Sequence, residues 1–313
     1  MKGLVVKSTG SWYKVRTEDG AYWECRIKGK FRIKGIRSTN PIAVGDWVSL
    51  DELQDGTAVI TEIDERKNYI IRKSVNLSKK SHILASNVDQ AMLIVTLAYP
   101  PTSMGFIDRF LVSAEAYKIP TIIVFNKVDL YDEEQLELMD SYFLTYQGAG
   151  YQTIEVSAVE GFQIDRIREM MKGKVSILSG HSGVGKSTLI NAVDPNLDLR
   201  TGDISDYHLS GMHTTTFAEM FELQFDGYII DTPGIKGFGL VDIEKEELAS
   251  YFPDIWKYAS SCKFHNCMHV KEPKCAVKNA VDEFLIFPSR YESYLSMLED
   301  TDGPNYRETL YPK

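Results

Sequence analysis

Residues 180–187 read GHSGVGKS, which fits the spacing Gly-x4-Gly-Lys-Ser. The apolar run KVSILS precedes the loop and a helical pattern follows it, the setting in which such a loop holds phosphates. Gly180, Ser182, Gly183, Val184 and Gly185 supply backbone N–H groups that turn inward around phosphate oxygens. The helix that opens there adds its partial positive charge, with Thr188 in its first turn. Lys186 is placed to bridge the β- and γ-phosphates, and Ser187 to put its hydroxyl on Mg²⁺.

Two further segments extend this chemistry. Residues 231–234, DTPG, end an apolar run; Asp231 can hold the Mg²⁺ shell and the Gly234 N–H can meet the γ-phosphate. Residues 211–216, GMHTTT, lie between phosphate loop and DTPG, and Thr215 is the candidate to complete the Mg²⁺ coordination. A third motif reads the base. In FNKVDL, Asp129 can accept hydrogen bonds from guanine N1–H and N2–H₂, donors that adenine does not offer there. A buried carboxylate left unpaired rejects the wrong base strongly. Asn126 supports adjacent loops, and the aliphatic stem of Lys127 can lie against the purine. Residues 157–161, SAVEG, add Ser157 and an Ala158 N–H aimed at guanine O6.

The base-reading loops therefore precede the phosphate loop along the chain, whereas in Ras-like GTPases the phosphate loop leads. The order is rotated, with new ends opened after the second switch. A doubly wound sheet tolerates this because its packing depends on adjacency in space.

Ras-like enzymes often orient the attacking water with a Gln after the second-switch glycine. Here Ile235 follows Gly234, and its side chain cannot polarise water. Slow intrinsic hydrolysis is expected, and His213 is the candidate for the missing role once a partner orders its loop. The alternative is that His213 only packs or contacts RNA.

Cys262-x4-Cys267-x-His269-x5-Cys275 gathers three thiols and an imidazole within fourteen residues, a Cys₃His set suited to tetrahedral zinc. His265 is a rival imidazole. Four protein ligands leave no open position, so one structural zinc is expected, organising a domain too small to fold alone.

Residues 1–68 carry about five short alternating runs separated by turn residues, the pattern of a small barrel of the OB type. Residues 69–238 alternate apolar runs with amphipathic stretches, which predicts an α/β domain with a parallel-rich sheet covered on both faces. Helices are expected near 105–118, 132–146 and 160–172. Residues 239–313 form a Cys/His-rich helical third domain.

The chain of 313 residues has a net charge of −9, so it should not adhere to polyanions indiscriminately. Basic blocks at 26–37 and 66–80 nonetheless hold six Lys or Arg each and no acid. They read either as solvated loops or as phosphate contacts. The longest apolar runs fall far short of a membrane helix, and the N-terminus lacks a signal-peptide core, so a cytoplasmic protein is expected.

With its VGDWV barrel segment, permuted GTPase motifs and CKFHNCMHVKEPKCAV knot, nearly the whole chain resembles the RsgA family (YjeQ, YloQ) of circularly permuted ribosome-assembly GTPases. The resemblance favours His269 over His265. It implies GTP or GDP with Mg²⁺ as ligands and the 30S subunit with its 16S rRNA as activating partner. Other assembly factors are further partners, and the protein is expected to be monomeric. Met212 departs from relatives that carry a basic residue before the histidine. Two other classes are a P-loop small-molecule kinase, which leaves NKVD and SAVEG unexplained, and an RNA-binding scaffold with a vestigial nucleotide site, against which Lys186, Ser187 and Asp231 argue.

Overall fold

The structure is a computed structural model that describes residues 1–27, 41–73, 81–197, 219–231 and 243–300; the side chains of 71–73, 81, 82, 231 and 300 are not described. His213, Thr215, Gly234 and most of the basic block 26–37 therefore lie outside the described residues.

Five strands form the N-terminal barrel: β1 (Lys2–Ser8), β2 (Tyr13–Thr17), β3 (Tyr22–Ile27), β4 (Trp47–Glu52) and β5 (Ala58–Ile63). Strands β1, β2 and β3 pair antiparallel in turn, β3 pairs parallel with β5, β5 with β4, and β4 returns to β1, so the barrel closes. Alternation points Val5, Tyr13, Val15, Cys25, Val48, Leu50, Ala58 and Ile60 into one core. Strand β1 is buried on both faces, because Leu4 and Val6 on its other side join the core of the neighbouring domain.

A hairpin of β6 (Tyr69–Lys73) and β7 (Ser81–Ser86) leads from the barrel into the α/β domain. This corrects the view of residues 66–80 as one basic loop. Arg66 is buried against Asp46, with side-chain exposures of 7% and 0%, and Lys67 pairs with Asp89. Arg66 serves the fold, because a buried charge must be paired to remain charged, whereas the Lys67 pair is exposed and weak.

The α/β domain runs β8 (Gln90–Val95), α1 (Met104–Ala116), β9 (Thr121–Phe125), α2 (Glu133–Gly148), β10 (Gln152–Glu155), α3 (Ile164–Met171), β11 (Val175–Ser179), α4 (Lys186–Val193), β12 (Glu219–Glu222) and β13 (Tyr228–Asp231). The strand order is β10-β9-β8-β11-β13-β12, parallel except for β12. Strands β8 and β9 are buried along their whole length and apolar beyond their first residues, Gln90 and Thr121, as expected for a sheet packed on both faces. Helix α3 starts four residues later than the sequence suggests, because Gly161 and Gln163 take φ of 74° and 59° and hold the chain out of helix until Ile164. Beyond β12 the sheet continues into β1 of the barrel, at the register Lys7↔Glu219.

Chain order reverses between β8 and β11, so a crevice opens at their carboxyl ends, where ligands of doubly wound sheets bind. The C-terminal helices α5 (Lys245–Leu248), α6 (Pro253–Ala259), α7 (Ala276–Asp282) and α8 (Pro288–Asp300) pack on α1 around Phe252, Ile255, Val277, Tyr294 and Met297. Arg290 of α8 is fully buried; it donates to Asp108 of α1 at 2.5 Å and to both carboxylate oxygens of Asp254 at 3.0 and 3.1 Å.

Candidate functional site

The loops that follow β8, β9, β10 and β11 meet at the crevice, and each is held there by specific contacts. The phosphate loop turns off β11 at Gly180, with φ of 142°; a Cβ there would lie 2.2 Å from Ile94 O of β8. Gly185, with φ of 93°, opens α4, and a Cβ would stand 2.4 Å from Asn126 Nδ2. These two positions therefore exclude any side chain: one seats the loop on the sheet and the other lets the base-reading loop approach.

Asn126 is buried at the end of β9. Its Nδ2 donates to Val184 O at 2.9 Å, and its Oδ1 accepts from Ala158 N at 3.2 Å. One side chain thus joins the loops at 126, 157 and 180. Lys127, with φ of 65°, stretches across the crevice and donates from Nζ to Gly183 O at 2.6 Å and Tyr99 O at 2.7 Å. Ser157 Oγ accepts from Glu160 N at 3.1 Å and fixes the turn of SAVEG. Lys186 Nζ donates to Gly180 O at 2.9 Å and His181 O at 2.6 Å, inside the loop whose phosphates it is expected to meet. Ser182 is exposed at the mouth, and Ser187 and Thr188 are half-buried in the first turn of α4.

Asp129 differs from expectation. It is exposed in a short 3-10 turn at Val128–Leu130. Asp231 ends β13, two strands from the crevice edge at β8, with its side chain outside the described residues.

The second site lies in the segment that joins α6 to α7. Ligand atoms of Cys262, Cys267, His269 and Cys275 all fall within 4.8 Å of one another. Cys262 and Cys275 Sγ are 3.9 Å apart, and His269 Nδ1 lies 3.6 and 3.4 Å from them. A tetrahedral zinc with Zn–S near 2.3 Å and Zn–N near 2.0–2.1 Å has edges of about 3.8 Å (S–S) and about 3.5 Å (S–N), so the donors fit that ion. His265 is exposed and outside the cluster, whereas His269 is buried in it. Glu272 holds the turn, accepting from the backbone N–H of Met268, Val270 and Lys271, while Tyr291 donates to His269 O. Burial pushes the Cys267 thiol up to about 12, so metal binding there must release protons.

The family pattern described as RsgA GTPase matches residues 63–241, and that described as RsgA N-terminal domain matches residues 2–60. The chain belongs to the RsgA family. The small ribosomal subunit biogenesis GTPase RsgA of Bacteroides fragilis is 61% identical across 98% of this chain and 99% of its own length. The protein of the same name from Christiangramia forsetii is 57% identical over 100% of both chains. Among solved structures, YjeQ from Thermotoga maritima is 38% identical with a TM-score of 0.81, covering 97% of this chain and 99% of its own. YloQ, described as a circularly permuted GTPase, is 32% identical with a TM-score of 0.76, covering 97% and 96%. As an RsgA GTPase this chain is a GTP-hydrolysing enzyme, and its fold is a circularly permuted GTPase with an OB-like barrel and a Cys₃His cluster.

Sequence patterns miss several residues that shape this RsgA crevice. Tyr131 donates its hydroxyl to Asn126 O and accepts from Leu97 N, both at 2.9 Å, tying the base-reading loop to the end of β8. Burial pushes its phenol up to about 12, so it remains a donor. The His181 ring stacks 3.8 Å from Phe106 at the start of α1, and burial, then the Lys186 ammonium, lowers its pKa. Only the structure brings these partners together; the sole sequence signal is an aromatic residue near each motif.

Proposed function

We propose that the chain is a ribosome-stimulated GTPase in late maturation of the small ribosomal subunit. In this reading it grips rRNA through the barrel and the zinc-bearing helices, and lets go when GTP is hydrolysed. The observation that carries it is the Asn126 bridge from NKVD to the phosphate loop and SAVEG, which makes one guanine-nucleotide crevice from a rotated chain order. The relatives' name supplies the small subunit.

The residues take these parts. Asp129 reads guanine, with Asn126, Ser157 and Ala158 shaping the pocket and the Lys127 stem against the base. The loop from Gly180 to Gly185 cradles the phosphates beside Thr188, and Lys186 bridges the β- and γ-phosphates. Ser187, Thr215 and Asp231 hold Mg²⁺, and Gly234 meets the γ-phosphate. Cys262, Cys267, His269 and Cys275 hold one structural zinc, which would order the segment before α7 and leave no position for substrate.

With Ile235 where a water-orienting side chain would stand, unassisted turnover should be on the order of 10⁻⁴ to 10⁻² s⁻¹. Binding to the immature 30S subunit then supplies the missing order, with His213 aligning water. The protein acts as a cytoplasmic monomer, and other assembly factors share its platform.

Multiple-turnover GTP hydrolysis with and without 30S subunits tests this. At least about tenfold stimulation is expected, lost in His213→Ala if that histidine aligns the water. Equal rates with and without subunits would remove the partner-activated reading. Binding to 30S should also weaken steeply with salt, since phosphate contacts release counterions.

A further inference from the structure

The barrel meets the α/β domain at two ends of very different character. At one end Gly45, with φ of 94°, lies so close to β7 that a Cβ would stand 2.0 Å from Ser86 O. Buried Asp46 there pairs with Arg66 and accepts from Ser86 Oγ, while Asn87 Nδ2 donates to Gly45 O. At the other end, two carboxylates of β12 reach into the barrel's β1–β3 face. Glu219 accepts from Lys7 Nζ with both oxygens at 2.9 Å. Glu222 accepts from Arg16 at 2.8 Å and from the Tyr22 hydroxyl at 3.2 Å. These four charged side chains are 29–43% exposed, and one register pair of β1 with β12 accompanies them.

Beside these pairs runs a groove of about 210 Å³ lined by Lys7, Lys14, Tyr22, Glu219, Glu222 and Tyr228 together with four apolar side chains. Lys14 sits 4.7 Å from the Tyr22 ring centroid and has no carboxylate partner among the described residues. The ring itself is half exposed. The β2–β3 face is where OB-type barrels take oligonucleotides, with cations tracking the backbone and aromatic faces stacking bases. Here the cations face carboxylates in the geometry a phosphate would use: a lysine against two oxygens, an arginine and a phenol against another pair.

We propose that Glu219 and Glu222 plug an RNA-phosphate groove on the barrel, so that RNA must displace β12's carboxylates to engage Lys7, Arg16 and Tyr22. The idea rests on the barrel's RNA-binding role proposed above. Exposed ion pairs are weak and exchangeable, which suits them to displacement.

The test uses the full-length protein and a fluorescent single-stranded RNA 15-mer, titrated by anisotropy across a salt series. Glu219→Gln with Glu222→Gln should tighten binding at least about threefold and steepen the salt slope by about 0.7 for each phosphate newly engaged. Lys7→Gln with Arg16→Gln should weaken binding. Glu133→Gln with Glu134→Gln, exposed on α2, makes the same change in net charge far from the groove and should leave affinity within twofold. Thermal melting accompanies every variant, to confirm folding.

An equal gain in the α2 control would show a general charge effect and overturn the plug. So would loss of binding in the Lys7/Arg16 pair without gain in the Glu219/Glu222 pair. If neither pair matters but neutralising Lys28, Lys30, Arg32 and Lys34 abolishes binding, the barrel role stands and the groove falls. If no barrel variant changes RNA binding, the parent reading falls instead.

Discussion

The C-terminal helices dock on α1 and the barrel on the edge of the GTPase sheet, and they use charge in opposite ways. Arg290 is sealed between Asp108 of α1 and Asp254 of α6, among the rings of Tyr146, Tyr151 and Phe252. Lys7 and Arg16 instead meet Glu219 and Glu222 in reach of water. A buried triad is costly to open, because each charge would be left without a partner in low dielectric. An exposed pair opens at little cost. The C-terminal helices are thus held to α1 by a buried charge cluster, whereas the barrel's β12 edge is held by exposed ion pairs.

The largest test of that contrast is zinc removal. Structural zinc is worth on the order of 10 kcal/mol in small metal-organised domains. Chelation, or Cys275→Ser, should abolish hydrogen-exchange protection in α6–α8 while β1–β5 stay protected. Retained protection without metal would mean that the apolar cluster around Phe252 and Tyr294 suffices.

Next comes the triad. Arg290→Met leaves two buried carboxyls without their cation and should cost about 3–5 kcal/mol in urea unfolding. Replacing all three charges together (Asp108→Leu, Asp254→Leu, Arg290→Met) should recover most of it. The pH dependence has a definite sign. Burial raises the Asp108 pKa, with Arg290 opposing that rise. A carboxyl with raised folded pKa adds stability below its ordinary value, and this is lost as pH rises through the folded value. Without Arg290 the rise is larger, so lowering the pH from neutrality should restore more stability to Arg290→Met than to wild type.

The barrel's tight end gives an intermediate effect. Gly45→Ala places a Cβ against Ser86 O in left-handed backbone and should cost at least about 2 kcal/mol. The smallest effect is at the loose end: Lys7→Gln or Glu219→Gln should shift stability by no more than about 1 kcal/mol. A larger loss there would make the β12 edge a structural joint.

What the sequence made legible is what local pattern encodes. The five barrel strands follow from alternation, the phosphate loop from its glycine and lysine spacing, and the Cys₃His set from spacing together with family likeness. Family likeness favours His269 over His265, and in the structure His269 is buried within the cluster while His265 is exposed outside it. Contacts set by tertiary closure left no local mark. Arg290 meets Asp108 across 182 residues and Lys7 meets Glu219 across 212, and nothing near either residue announces its partner. Arg66 looked like one member of a basic loop because the buried Asp46 that claims it lies twenty residues away in another turn. Asp129 was expected buried, since sequence gives the chemistry of a carboxylate and not whether protein or ligand covers it.

In the proposed function Asn126–Asp129 and Lys186, in reversed chain order, serve one bound nucleotide. Asp129→Asn tests this directly. A carboxylate matches guanine's N1–H and N2–H₂ donors, whereas an amide offers one donor and one acceptor, which suits xanthine's N1–H and O2. Competition binding of GTP against XTP should show GTP affinity falling about a hundredfold and XTP preferred, with both nucleotides lost when Lys186→Ala is added. Unchanged preference for GTP in Asp129→Asn would mean that the base is read elsewhere, and the rotated GTPase crevice would not be where this protein holds its nucleotide.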